Sequence, residues 1–513
     1  MKLKGVKRLR FDEFHPLTFL IFMTNIVFGL FGYEVTEMLQ KKRMRKENDL
    51  GKDPIPQLVL RLAIPAMLAQ FVNVLYSVID RMYIGNIPEI GETALAGVGI
   101  CGPIVTMLSA FAAWIGNGGA PLLAIKCGEQ NKKGASAILA NSFLLLLGMG
   151  TLLTLLGFLT KDFLIVKFGA TEAIFPYAEA YMSVYLAGTV FSVLALGLNQ
   201  FIICQGFAGL GMTSVVIGAV FNIVLDPVFI FGLHMDVAGA ALATVLSQAA
   251  SCLFTLWILF RGPVPVRITF HGYAAGICAR ILTLGVTPFL IILFDNVLII
   301  IQNVMLKMYG GADSDMLLTC NTIVQSFMLN ITMPLGGITA GTQSILGYNY
   351  GAANTARIRL AEKHIIKTAL IFCTIMFALA QWEVTAGLFV GLFTQNTAYQ
   401  SLTVQFIRIY TLGVIPLALQ YALVDGLTGM SLVAFSCPLS FVRKGLYIGL
   451  VVFLSVTFGA AAMFWAEPVS DVVAAAISCI TFLCVIPGAL RRREAAVRRL
   501  TSGSPAPYSR NVP

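Results

Sequence analysis

The chain runs to 513 residues and carries a formal net charge of +10 at pH 7. Hydrophobic residues make up 58% of it and charged residues only 12%, against roughly 25% charged in water-soluble domains; the mean hydropathy is +0.83. A soluble globular protein is excluded, and the positive balance belongs to membrane topology rather than to nucleic-acid binding.

Residues 1–51 come first and stand apart from the rest of the chain. Leu17 to Tyr33 is an apolar run of 17 residues, barely long enough to cross a bilayer. Lys2, Lys4, Lys7, Arg8 and Arg10 precede it, and Lys41, Lys42, Arg43, Arg45 and Lys46 follow it. If it spanned, one basic cluster would be left outside, against the positive-inside rule. It also lacks the small-residue cleavage site of a signal peptide. Met44 offers an alternative start, so residues 1–43 are expected to be a mis-called upstream extension or a helix lying on the membrane surface.

Twelve apolar stretches lie between Gln57 and Pro487, each near the roughly 20 residues a spanning helix needs. They begin near Gln57, Ala94, Ala137, Ile174, Gly211 and Val237, then near Ile277, Met316, Ile365, Ser401, Ser436 and Val472. Basic residues gather at every second connection: Lys126, Lys132 and Lys133; Arg261, Arg267 and Arg280; Arg357, Arg359, Lys363 and Lys367; then Arg443 and Lys444. Arg491, Arg492, Arg493, Arg498 and Arg499 close the series, while Glu89, Glu92, Asp313, Asp315, Glu467 and Asp471 mark the alternate connections. Lys- and Arg-rich loops stay in the cytoplasm, which puts both termini inside. The expected organisation is an all-α membrane protein: an extension (1–51), a six-helix bundle (52–262), a cytoplasmic linker (263–275), a second six-helix bundle (276–493) and a disordered tail (494–513).

The two bundles repeat each other. Pro65 and Pro288 lie 223 residues apart, as do Asp80 and Asn303, and Gly128-Glu-Gln-Asn131 falls opposite Gly351-Ala-Ala-Asn354 at the same offset. Gln200 to Gly206 is matched with Gln420 to Gly426 at an offset of 220, which pairs Asp425 with Gln205. A duplicated bundle with a cleft between its halves is the architecture of a secondary transporter.

Ionisable groups inside spans cost about 2.5–3.5 kcal/mol each and are functional candidates by default. Asp80, Asp226, Asp295 and Asp425 are read as such groups, the alternatives being an interfacial ion pair of Asp80 with Arg81, hydrogen bonding at the proline kink for Asp226, a helix–helix hydrogen bond for Asp295, and a capping or interfacial role for Asp425. Asn222 lies four residues before Asp226 and shares its face, and Pro227 removes a backbone donor and frees a carbonyl one turn earlier. Carboxylate, amide and carbonyl oxygens together suit a proton or Na⁺, with the Thr244 hydroxyl able to join from the next span. Tyr76 shares a face with Asp80. Asp295, near the expected midplane, suits an organic cation or a second coupling proton. Asn199, Gln200, Gln325, Asn330 and Gln420 are read either as helix–helix hydrogen-bonding groups or as cavity lining. The ten cysteines include no Cys-x-x-Cys pair and most sit in apolar runs, where Cys behaves as a small hydrophobe.

Twelve spans in two repeats, with Pro65 and Asp80 in span 1, Asn222-x-x-x-Asp226-Pro227 in span 5 and Thr244 in span 6, resemble the multidrug and toxic compound extrusion (MATE) family. The resemblance runs from about Lys52 to Arg493, and Asp80-Arg-Met-Tyr-Ile-Gly85 and Ala96-Gly-Val-Gly look like its bacterial multidrug-resistance branch. It implies two pseudo-symmetric six-helix bundles around a central cleft, alternating between outward- and inward-open. It further implies export of bulky, often cationic compounds against inward H⁺ or Na⁺, with Asp80, Asn222, Asp226 and Thr244 as cation-coupling residues and, if Na⁺ is the ion, as its ligands. Tyr76, Asn199, Asp295, Gln325 and Asp425 are the candidate substrate-cavity residues. The partners expected are small-molecule substrates and membrane lipid, not nucleic acid; no cofactor beyond the coupling ion is implied. A monomer in a bacterial inner membrane is expected.

Three alternatives are disfavoured by the residues present. ATP drive would need a Gly-x-x-x-x-Gly-Lys-Ser/Thr loop, which the sequence lacks. A flippase for a lipid-linked precursor would want a basic cavity to hold pyrophosphate, whereas the in-span charges are read as acidic. A membrane-embedded enzyme would need a His or Ser constellation near the midplane, but His15, His234, His271 and His364 fall in connections or near span ends.

Overall fold

The computed structural model describes residues 48–394 and 396–501; the run Leu17–Tyr33, the alternative start at Met44 and the chain beyond Thr501 lie outside them. Among the described residues the first bundle comprises α1 (Ile55–Gly85), α2 (Gly91–Gly128), α3 (Lys132–Lys167), α4 (Phe175–Ala187), α5 (Thr189–Ile203), α6 (Ala208–Pro227) and α7 (Asp236–Arg261). The second comprises α8 (Ala275–Tyr309), α9 (Ser314–Gly351), α10 (Thr355–Gln381), the short α11 (Glu383–Gly391), α12 (Thr397–Tyr410), α13 (Val414–Gly429), α14 (Val433–Phe458) and α15 (Ala466–Thr501). Among the described residues helices are the only regular element, because a bilayer leaves no water to satisfy an open backbone. α4 and α5 bend by 57° at Gly188 and make one span; α12 and α13 join through a 3₁₀ turn into another. With the bent pair counted once, twelve spans result, and each expected stretch begins inside one or within a residue of it.

Local turn geometry shows the duplication. Gln130 and Ala353 take positive φ, 58° and 54°, and the next residue in each case, Asn131 or Asn354, caps the following helix through its side chain. Later the register changes. The corresponding turns place positive φ at Gly206 (93°) and Ser431 (56°), so the offset there is 225 rather than 220. Gln420 to Gly426 is still helix, and the counterpart of Asp425 is Gln200, not Gln205.

Arg443 and Lys444 are not in a connection. α14 begins at Val433, so they stand ten and eleven residues inside a span. Glu467 and Asp471, read as loop acids, are buried in α15. Arg443 Nε donates to Asp471 Oδ1 at 2.8 Å and its Nη2 to Glu467 Oε1 at 2.9 Å. The cost of burial explains the arrangement: an isolated charge in hydrocarbon is prohibitive, while a paired and hydrogen-bonded one is tolerated. The boundary at 493 also moves, because α15 continues through Glu494, whose carboxylate takes the Thr355 hydroxyl.

The bundles meet where α2 runs along α8 and α1 along α9. Small residues bring backbone onto backbone, as in many membrane interfaces. A methyl on Gly285 would overlap the Trp114 carbonyl, and one on Gly128 the Tyr348 carbonyl. These close contacts fall at residues 62–67, 111–128, 281–289 and 337–351, the halves nearer the Lys- and Arg-rich end. The outer halves of the same helices flank the cleft. At the basic end Leu50, Ile55, Leu58 and Leu62 pack with Ile345, Leu346, Ile358 and Leu490 of the second bundle. Residues 48–53, expected to belong largely to the extension, form a strap there. Asn48 donates to the Gly206 carbonyl (2.8 Å), Asn349 to Leu50 (3.0 Å), and Arg357 to Leu50 (3.1 Å) and Asp53 (2.8 Å).

Candidate functional site

α6 packs along both α1 and α7, and that packing assembles the first site. Asp226 lies 18 residues past the start of α6, about 27 Å at 1.5 Å per residue, in the half remote from the basic end. Asp226 and Asn222 are almost wholly buried, at 0% and 1% exposure. Asn222 Nδ2 donates to Asp226 Oδ1 (3.2 Å) and to Thr244 Oγ1 (3.3 Å), and Asp80 of α1 meets the Asp226 carboxyl side chain to side chain. The π-helical turn Val228–Gly232 follows Pro227 directly, the kind of break common at functional sites.

Three oxygens in this cluster are buried with no protein partner: Asp80 Oδ1, Asp226 Oδ2 and Asn222 Oδ1. They are all acceptors, so the arrangement calls for a donor or a cation rather than another acceptor; Arg81 acts on Asp80 through its charge but makes no hydrogen bond to these three oxygens. Two carboxylates in contact repel by about 4 kcal/mol at 4 Å and an effective dielectric of 20; a small cation among the oxygens reverses that term. The donor set fits H⁺ or Na⁺, since Na⁺ takes oxygens and a proton takes either carboxylate. Tyr76 and Tyr181 lie within electrostatic reach of Asp80, and Tyr185 stacks on Tyr181 at 6.1 Å. Tyr181 and Tyr185 escaped the sequence reading, although their spacing of four put both on one helical face.

The other candidates are scattered. Gln325 ties up the interior of the second bundle, donating to Tyr410 (2.8 Å) and Gln302 (3.2 Å). Asn199 turns into the first bundle against Gly211. Its neighbour Gln200 lines a small cavity between the bundles with Asn117, Gln343 and Ser344. Gln420 is buried at 4% exposure, and Asn330 donates to the Ser326 carbonyl (2.8 Å) within its own helix. Asp425 accepts from Thr339, beside a buried Glu362 that has neither oxygen partnered. Asp295 pairs with Lys444. At the floor of the cleft Trp114 stacks on Phe289 at 4.7 Å and Phe111 meets Phe289 at 4.9 Å.

A charged clasp closes the basic end. Glu129, just past α2, accepts from Lys126 (2.6 Å) and from Arg493 of the second bundle (2.6 Å), while Arg493 also donates to the Tyr350 and Gly351 carbonyls (2.9 Å each). Burial pushes the Glu129 carboxyl up, but the hydrogen bonds and charges of Lys126 and Arg493 outweigh it and hold it below the ordinary range. Such a group stabilises the closed clasp above its unpaired titration range, and the contribution is lost only as pH falls through the lowered value. At neutral pH the Glu129 carboxylate of the clasp therefore stays charged. A partly exposed pair contributes about 0.2–1 kcal/mol, so Glu129→Gln is expected to raise maleimide labelling of the adjacent Cys127 two- to fivefold. Unchanged labelling would show that the clasp does not hold the seam.

The family model MatE matches residues 65–228 and again 291–453, one match per bundle. The multidrug export protein MepA of Staphylococcus haemolyticus is 23% identical over 328 residues, which cover 62% of this chain and 70% of that protein. MepA of Staphylococcus aureus strain N315 is 22% identical over 357 residues, 68% and 75% of the two chains. A MATE crystal structure described as in the straight conformation superposes with a TM-score of 0.80 at 26% identity, over 88% of this chain and all of that one. An outward-facing MATE transporter shares the fold at a TM-score of 0.81. Matched in both halves by one family model, the chain belongs to the MatE family, the multidrug and toxic compound extrusion transporters.

Proposed function

We infer that this protein exports bulky organic cations in exchange for H⁺ or Na⁺ by alternating access, as a monomer in a bacterial cytoplasmic membrane with both termini inside. The observation that carries the coupling is the meeting of Asp80 and Asp226 among three acceptor oxygens that no protein donor satisfies. An aromatic floor at Phe111, Trp114 and Phe289 and the half-exposed carboxylate of Asp295 support a cationic, aromatic cargo. With the basic end cytoplasmic, the sealed seam corresponds to an outward-facing state. Binding a cation at Asp80 and Asp226 drives export only if it favours a different state from the one cargo favours, and α1, which carries both Pro65 and Asp80, links that site to the seam at Ala66 and Gly337.

Relatives named as multidrug exporters support cargo export over lipid flipping. The two in-span cations that the sequence reading placed in a loop do not reverse this. Arg443 and Lys444 are each matched by a carboxylate, which leaves no surplus positive charge to hold a pyrophosphate. Purified protein in liposomes, given an outward cargo path and an H⁺ or a Na⁺ gradient separately, is expected to transport an organic cation with one gradient and to stop when that gradient is collapsed. Transport that persists with both collapsed would overturn the antiport reading.

A further inference from the structure

The ion pair between Lys444 and Asp295 lies beside the cleft. Asp295 stands 14 residues, about four turns, beyond Ile281, whose carbonyl meets Gly118 of the first bundle. It therefore continues the stripe of α8 that faces α2, beyond the point where Phe289 packs on Trp114 and the bundles part. Lys444 comes from α14 within the second bundle, and Phe294 against Phe441 (5.5 Å) holds α8 and α14 together beside it. The two side chains differ in exposure: 47% for Asp295 and 15% for Lys444. The carboxylate is open to the cleft while the ammonium reaches it from behind. Arg443 is committed to Asp471 and Glu467, so Lys444 is the cation available to Asp295 from this helix.

We propose that Lys444 is a tethered competitor for cationic cargo, a specificity-determining residue that holds Asp295 when the cleft is empty and yields it to a monovalent organic cation. The proposal rests on the export reading above. A tethered charge acts at a high effective concentration, so cargo cations bind Asp295 less tightly than a free carboxylate would allow, and Lys444 displaces them again when the cleft reopens. Uncharged cargo leaves the pair intact and meets no such competition.

The test uses the full purified chain and two probes of similar size: tetraphenylphosphonium, permanently charged, and triphenylphosphine oxide, uncharged. Lys444→Met is expected to bind tetraphenylphosphonium about tenfold more tightly and to turn it over more slowly, with binding of the neutral probe unchanged. Lys444→Arg, which keeps the competitor, is expected to stay within about twofold of the natural protein and controls for folding. In an Asp295→Asn background, adding Lys444→Met is expected to change nothing. Unchanged or weaker cation binding in a folded Lys444→Met protein, an equal change for the neutral probe, or survival of the effect without Asp295 would each overturn the proposal. If the natural protein neither binds nor transports tetraphenylphosphonium, the export reading falls and this inference with it; transport with an unaltered Lys444→Met affinity removes the inference alone.

Discussion

Asp226→Asn is expected to reduce drug export to the background of cells lacking the protein, a loss of at least about a hundredfold, while the protein still inserts and folds. The side chain is fully buried, and its Oδ1 is already engaged by Asn222 Nδ2. An amide of the same shape keeps that acceptor and removes the charge. The site then holds one carboxylate, Asp80, in place of two, so the repulsion that a cation relieves is gone. Without that difference between loaded and empty states, the ion gradient has nothing to act on, because a ligand moves an equilibrium only by its differential affinity for the two states. Ethidium accumulation and the thermal midpoint of the purified protein separate the two contributions. Near-normal export at normal expression would remove Asp226 from the coupling site.

The second large effect is on stability. Arg443→Met leaves Glu467 and Asp471 facing each other in the interior of the second bundle, and breaking a buried pair from one side costs about 3–5 kcal/mol. Asp471 is wholly buried, and its second oxygen already has no partner. Cation–π contact of the guanidinium with Tyr421 (5.8 Å to the ring centroid) is lost as well. The thermal midpoint is expected to fall by about 10 °C, using the scaling of a few degrees per kcal/mol for a bundle of this size. Removing all three charges at once, by adding Glu467→Gln and Asp471→Asn, is expected to recover most of that loss, since apolar or neutral replacements of complete ion networks are often harmless. A single Arg443→Met with an unchanged midpoint would show the network to be unimportant for folding.

What the sequence makes legible here depends on which physical signals are periodic. Twelve spans are legible because 20-residue apolar runs have few alternatives, and the cluster of Asp80, Asn222, Asp226 and Thr244 because acids in such runs are costly. The same logic misplaced Arg443 and Lys444. The expected stretch near Ser436 starts only three residues into α14, and Arg443 and Lys444 look like a loop because paired basic residues mark cytoplasmic connections. Their partners Asp471 and Asp295 come from other helices, and sequence spacing does not report contacts between distant helices. Glu362 escapes for a related reason: it sits among Arg359, Lys363 and Lys367 in sequence, yet its carboxylate is buried against Gly426 of another helix. The repeat register failed at Gln420 because two residues are added between the Asn131 and Gly206 turns when the second bundle is compared with the first, and only turn geometry reveals where the helix stops.

Backbone-to-backbone packing at Gly118, Gly128, Gly285 and Gly351 has a mechanical consequence. Interlocked side chains act like gear teeth and resist any change of crossing angle until each has found a new groove. Glycine surfaces have no such teeth, so under the alternating-access proposal these contacts would let one bundle roll on the other, and the threshold for rocking would reside in the Leu and Ile side chains interleaved at the basic end and the polar ties around them.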